Sequence, residues 1–418
     1  MSALPEPSLK EADIRGLKHF KKVKKLLKSL HLNGCQRDKS HNRSLHFDEY
    51  CLGVLLFLFN PAITSLRGIQ QAGKLRNVQK KLGIKPASLG SLSESVSVFD
   101  PEPLKQIAAE LATQVSSLPS GGRQTKSGED FSLIKQTITA VDGSVFDTVA
   151  RLAELAWLPL GRSGRYKHSY RLHTQFEVLR GVVNRVDVTP ANLKGENHER
   201  AVLSKTLEPD RCYVADRAYR KTSLWNEIVD IGSSYVCRVQ DNTVYEVVET
   251  RQLSPADESE KVLSDQIIRL TGVNQAAANH TIRLVVVEIS PHTTRGKHYG
   301  GSTGPPSDGK LRIATNLLDV PAELISKIYQ LRWMIELFFR MFKGLLGCSH
   351  LLSTKQNGVE IQAYLAIIAC LLILLYTGRT PTKRTFEMIC LYLQGWAELD
   401  EVEEHIAKLA ANTSSKKS

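Results

Sequence analysis

Hydrophobic periodicity divides the chain into zones of different period. Residues 1 to 116 read as helical. "GLKHFKKVKKLLKSLHL" sets Leu17, Phe20, Val23, Leu27 and Leu30 on one helical stripe, and "YCLGVLLFLF" is an apolar helix stopped by Pro61. "DPEPLKQIAAELA" opens with Asp100 as a cap and Pro101 at the first helical position. Residues 117 to 130, "SLPSGGRQTKSGED", are rich in Ser, Gly and Pro and read as a linker.

Beyond the linker the period drops to two. "TITAVD", "SYRLHTQFEVL", "GVVNRVDVT", "RCYVADRAY" and "SSYVCRV" are strand-like, with helical patterns at "HERAVLSKTL" and "KTSLWNEIVDI". Three adjacent strands followed by helix, strand, helix, strand predict a mixed α/β sheet with helices packed on it. Residues 241 to 310 read as an all-β insertion, alternating at "TVYEVVE", "IIRLTGV" and "TIRLVVVEIS" and ending in a Gly-rich loop. The expected division is therefore an N-terminal helical region over 1–116, a core over 131–240 and 311–380 split by the insertion, and a C-terminal helical region with a polar tail over 381–418.

Charge changes the picture. The 418 residues carry a formal net charge of +12, which points toward an acidic partner. Lys18, Lys21, Lys22, Lys24, Lys25 and Lys28 surround the first apolar stripe. Nucleic acid, an anionic membrane surface or plain solvent could each face such a helix. The start "MSALPEPSLKEADIRG" has no apolar signal core, and seven cysteines without a C-x-x-C pair suit a reducing cytoplasm. The run "AYLAIIACLLILLY" is shorter than the ~20 residues that span a bilayer, so it is expected to be a buried core helix and no membrane contact is expected.

The candidate chemistry begins in "YQLRWMIELFFRMFK". At about 100° per residue, Tyr329, Arg332, Glu336, Arg340 and Lys343 collect on one stripe of a helix otherwise apolar apart from Gln330. A salt-bridged solvent face is one reading. A phosphate-bearing ligand with the carboxylate directed at a metal is the other. Two aspartates end strand-like runs: Asp142 in "ITAVDGS" and Asp216 in "CYVADRAY". Each alone suits a turn, but with Glu336 they make three carboxylates from two strands and a helix. Such a set can hold two divalent ions about 3.5 to 4 Å apart for phosphodiester displacement, and Mg²⁺ or Mn²⁺ suits hard oxygen ligands.

"AVDGS", "VADRAYR" and "LRIATNLLDVPAELISKIYQLRWMIELFFRMFK", with Y-x-x-R-x-x-x-E-x-x-x-x-x-x-K filled by Tyr329, Arg332, Glu336 and Lys343, resemble a bacterial DDE transposase of the insertion-sequence-four group. The resemblance spans about residues 40 to 400. It implies an RNase H-like core, a β-rich insertion before the last catalytic acid, and cut-and-paste transposition by a homodimer on terminal inverted repeats and target DNA, in the bacterial cytoplasm on the nucleoid. Asp142, Asp216 and Glu336 then become the catalytic metal ligands, with Tyr329, Arg332 and Lys343 gripping the transposon end. A catalytically inactive DNA-binding protein of the same descent and a stand-alone nuclease are the rival expectations.

Some members of that group form a DNA hairpin and hold a flipped base on a tryptophan of the insertion. This chain has no tryptophan between Trp225 and Trp333, leaving Tyr245, His298 and Tyr299 as stacking candidates. A second basic cluster, "GRSGRYKHSYRLH", offers Arg162, Arg165, Lys167 and Arg171 to phosphates. "GPPSDGK" mimics a nucleotide-binding loop, but Leu311 replaces its Ser or Thr and a strand follows where that loop needs a helix.

Overall fold

The computed structural model describes residues 26–32, 44–60, 62–116, 131–147, 169–191, 195–272, 277–289, 308–345, 351–353, 355–377, 383–393 and 396–414. Nine strands form one sheet in the order β3-β2-β1-β4-β5-β9-β8-β7-β6. The first five are β1 (Thr137–Asp147), β2 (Ser169–Glu177), β3 (Val182–Pro190), β4 (Arg211–Ala215) and β5 (Ser234–Arg238). β1, β2 and β3 are antiparallel neighbours, and β4 and β5 follow in parallel beside β1. This is the mixed α/β sheet with helices packed on it that the sequence predicts.

Alternation along these strands explains why the sheet is covered on both sides. Ile138, Ala140, Leu172, Phe176, Val214 and Val236 enter one core, shared with the N-terminal helices and the helices after β9. Val141, Tyr213, Ala215, Tyr235 and Cys237 enter another, closed by Leu203 and Trp225 of the two short helices Glu199–Lys205 and Thr222–Asp230. The apolar run 363–376 lies in the helix Gln356–Thr377, whose most apolar window is 89% buried. There Tyr364 donates its hydroxyl to the Val186 carbonyl, and Gln356 donates to Val188 O at 2.7 Å, both on β3.

The insertion extends the same sheet. β6 (Tyr245–Arg251), β7 (Val262–Leu270) and β8 (Ile282–Glu288) run antiparallel to one another, and β9 (Lys310–Thr315) joins them to β5. It also carries a short helix, Pro255–Ser259, opened by a capping box in which the Ser254 and Asp257 side chains satisfy each other's backbone N–H groups.

The stripe helix is broken. It consists of Ala322–Leu331 and Trp333–Leu345, with Arg332 between them in a tight turn: Arg332 N–H donates to Tyr329 O and Ile335 N–H to Arg332 O, each at 3.1 Å. The turn keeps Tyr329, Arg332 and Glu336 adjacent, Arg332 lying over the Tyr329 ring and bonded to Glu336. What differs from the expectation is that the helix is interrupted and part of its apolar surface is open. Tyr329 is buried, whereas Trp333 and Leu337 are 46% and 39% exposed.

Candidate active site

β1 and β4 bring the two aspartates level. Their parallel register ends at Ala140 beside Val214, and Asp142 and Asp216 each lie two residues further on. Neighbouring strands are about 4.8 Å apart. β1 itself continues to Asp147 in its hairpin with β2, so Asp142 stands where the parallel pairing stops and not at the strand's end. Its Oδ1 accepts the Gly143 N–H at 2.8 Å. Asp216 follows the last residue of β4 and caps the turn Arg217–Tyr219, its Oδ1 accepting the Ala218 N–H at 2.7 Å. Asp216 thus forms the turn that its position at the end of a strand-like run suits.

Glu336 arrives from the opposite direction. The helix Trp333–Leu345 seats Ile335, Phe338, Phe339 and Phe342 in the larger core, with the Phe338 ring tilted against Phe176 of β2 at 5.5 Å between centroids. That packing turns Glu336 toward β1. Arg332 lies between the acids: Nη2 donates to Glu336 Oε1 at 2.6 Å, and Nη1 stands 3.9 Å from Asp142 Oδ2. Its guanidinium also lies 5.9 Å over the Tyr329 ring. Among the described residues, no three His, Cys, Asp or Glu side chains are gathered tightly enough to hold a metal ion as they stand. Arg332 supplies the positive charge at their junction.

The electrostatics mark the place as an acidic focus. Burial raises the Asp142 carboxyl to about 6; the Gly143 N–H and Arg332 oppose that rise, and the charges of Asp216 and Glu199 reinforce it. Burial also pushes up the neighbouring Tyr219 phenol, and Glu199, Asp142 and Asp216 push it further. Glu199 escaped the sequence reading. It opens the helix Glu199–Lys205, is itself raised by burial against the pull of Arg171, and pairs with the Arg171 guanidinium. No motif spacing flags it, because the crossover from β3 to β4 is what carries it to the strand ends.

The other candidates divide. Arg171 is engaged by Glu199, and Arg340 is exposed with its guanidinium 5.9 Å over the Trp333 ring. Tyr245 is half-buried at the start of β6. The side chains of Lys21, Lys22, Lys25, Arg162, Arg165, Lys167, His298, Tyr299 and Lys343 lie outside the described residues.

Residues 134–372, more than half of the chain and the whole of this constellation, match the family described as the Transposase DDE domain. The chain belongs to that family. It is 25% identical over 227 residues to a Sinorhizobium fredii protein named as the transposase y4zB, covering 52% of this chain and 58% of that one. It is 26% identical over 180 residues to a Geobacillus stearothermophilus protein named as the transposase for insertion sequence element IS5377, covering 43% of each. The chain thus spans about half the length of these curated relatives. A cryo-EM structure of a piggyBac transposase synaptic complex with hairpin DNA aligns with 95% of this chain and 86% of that one, at 9% identity and a TM-score of 0.42.

Proposed function

We propose that this DDE-domain protein is a DNA transposase that cleaves transposon ends and transfers them to target DNA by a cut-and-paste route. The observation that carries the reading is Arg332, whose single guanidinium reaches both Glu336 and Asp142, with Asp216 level on the adjacent strand. Elements distant in sequence bring Asp142 and Glu336 to one guanidinium, and partly buried acids of like charge are costly to hold near one another without a cation.

The donor set suits a hard divalent cation. The Thr174 hydroxyl, 2% exposed and directly opposite Asp142 in the β1–β2 register, has no hydrogen-bond partner among the described residues, as befits a site with a further polar occupant. Asp142, Asp216 and Glu336 would hold Mg²⁺ or Mn²⁺, which when bound activates an attacking oxygen and stabilises a leaving one. Arg332 would shift from its acids to a DNA phosphate, a bidentate partner of the same charge. Exposed Trp333 and Arg340 would face the transposon end on the outer side of the same helix. The protein would act as a homodimer on paired ends, within the cytoplasm on the nucleoid.

The test uses labelled duplexes bearing the element's terminal repeats. Wild type should nick them and join a pre-cleaved end to target DNA, while Asp216→Ala should bind equally well yet neither nick nor join. Cleavage without joining would indicate a nuclease. Wild-type levels of cleavage by Asp216→Ala would overturn the site.

A further inference from the structure

Glu199 lies beyond the three acids the family pattern marks, and its position is too specific for a surface ion pair. Its side chain is 11% exposed, and it packs onto the α-carbon of Gly143, the residue after Asp142. A methyl group built on Gly143 would stand 2.8 Å from Glu199 Oε1 and 3.2 Å from Arg171 Cδ. Glycine at 143 is what lets the Glu199–Arg171 pair reach the strand ends.

Two further observations separate this from a structural salt bridge. Glu199 and Asp216 lie close enough that each charge bears on its surroundings: Asp216 acts on Glu199, and both act on Asp142 and on buried Tyr219. The polar groups beside the pair are also incompletely satisfied. Arg171 Nε and His173 Nδ1 have no partner among the described residues, although His173 is only 6% exposed and sits directly opposite Gly143. A pair evolved for stability alone would leave fewer buried donors and acceptors unmatched.

We propose that Glu199 is a fourth carboxylate of the divalent-ion site, a positioning residue that Arg171 restrains. The inference rests on the reading that assigns the ion to Asp142, Asp216 and Glu336. Glu199 reaches the strand ends from the helix Glu199–Lys205, next to the residue that follows Asp142, and from there would support the ion's hydration shell. Arg171 is its counter-charge, so removing the arginine frees the acid and removes a nearby positive charge.

Calorimetric titration of the full chain with Mn²⁺ alone, in the absence of DNA, tests the assignment for wild type, Asp142→Asn, Glu199→Gln and Arg171→Gln. Asp142→Asn should lose binding. Glu199→Gln should weaken it about tenfold or more, the usual effect of losing a carboxylate that supports a metal's ligands. Arg171→Gln should bind at least as tightly as wild type. Should Glu199→Gln fail to fold, the double variant Arg171→Gln/Glu199→Gln replaces it and is expected to bind more weakly than Arg171→Gln alone. Wild-type affinity in Glu199→Gln, or in the double variant relative to Arg171→Gln, overturns the role of Glu199. So does an equal loss in Arg171→Gln, which would make the pair merely structural. If Asp142→Asn binds Mn²⁺ like wild type, the underlying reading of the site falls instead.

Discussion

Arg283 on β8 grips Asp265 on β7 through two parallel hydrogen bonds, Nε to Oδ1 and Nη2 to Oδ2, both at 2.8 Å, with the arginine 2% exposed. Its Nη1 donates to the Leu317 carbonyl at 2.8 Å and also to Val320 O. Those carbonyls belong to the loop that leads into the helix Ala322–Leu331 and so to Glu336. The insertion therefore clamps the approach of the third acid. Removing one partner of a buried pair strands the other, at about 3 to 5 kcal/mol. Asp265→Ala is expected to lower stability by that order in a denaturant titration, and to impair cleavage more than DNA binding. A loss of less than ~1 kcal/mol would show the clamp to be dispensable.

Asp142 should weaken the fold it serves. Its folded-state carboxyl sits at about 6, above its ordinary value of 3.8, so the native state favours the protonated form. The sign follows by linkage: this stabilisation is fully present below about pH 3.8 and is lost as pH rises through 6. Near pH 8 the ionised group then costs on the order of 2 kcal/mol at ~1.4 kcal/mol per pH unit, allowing for its partial exposure. Asp142→Asn should raise the thermal midpoint in metal-free buffer at pH 8, with the gain shrinking toward pH 4. A lower midpoint at pH 8 contradicts the account.

Period-two runs alternating with helical ones made β1 to β5 and their two helices legible, because strands buried on alternating faces must carry that pattern. Asp142, Asp216 and Glu336 were singled out through the family motif, not through their spacing, which at 74 and 120 positions carries no geometric information; the proposed site rests on them. What escaped depends on partners distant in sequence. Alternation in 241–310 announced strands but not that β9 would stitch them to β5. The break at Arg332 arises from tertiary demands that pull its guanidinium between two acids, against a local sequence suited to an unbroken helix. Glu199 stands in the first turn of a helix, where an acid is common and no pattern in the sequence sets it apart.

Gly143 is a steric requirement, not a backbone one: it is absent from the residues with positive φ, and only the space beside it is limiting. In Gly143→Ala the new methyl meets the buried Glu199–Arg171 pair, and overpacking of this kind costs about 1 to 3 kcal/mol. Combining it with Glu199→Ala removes the 2.8 Å collision, so the two losses should not add. A double-mutant cycle in urea checks this. Strict additivity would place the clash elsewhere.

His173 gives the pH dependence its acid limb. Burial lowers its imidazole to about 4, helped by the positive charge of Arg171 and opposed by Asp187, and Nε2 is hydrogen-bonded to the Thr189 hydroxyl at 2.8 Å. The native protein keeps this ring neutral, whereas the unfolded chain protonates it near pH 6.5. Stability from this residue is therefore complete above about pH 6.5 and declines as pH falls toward 4, by up to ~3 kcal/mol at ~1.4 kcal/mol per unit. His173→Gln keeps a polar group near Thr189 but cannot titrate, so its stability should fall less steeply over that interval. In wild type, the imidazole C–H resonances followed by NMR should stay constant from pH 8 down to about 5. Titration near pH 6.5 would mean that the ring is open to water.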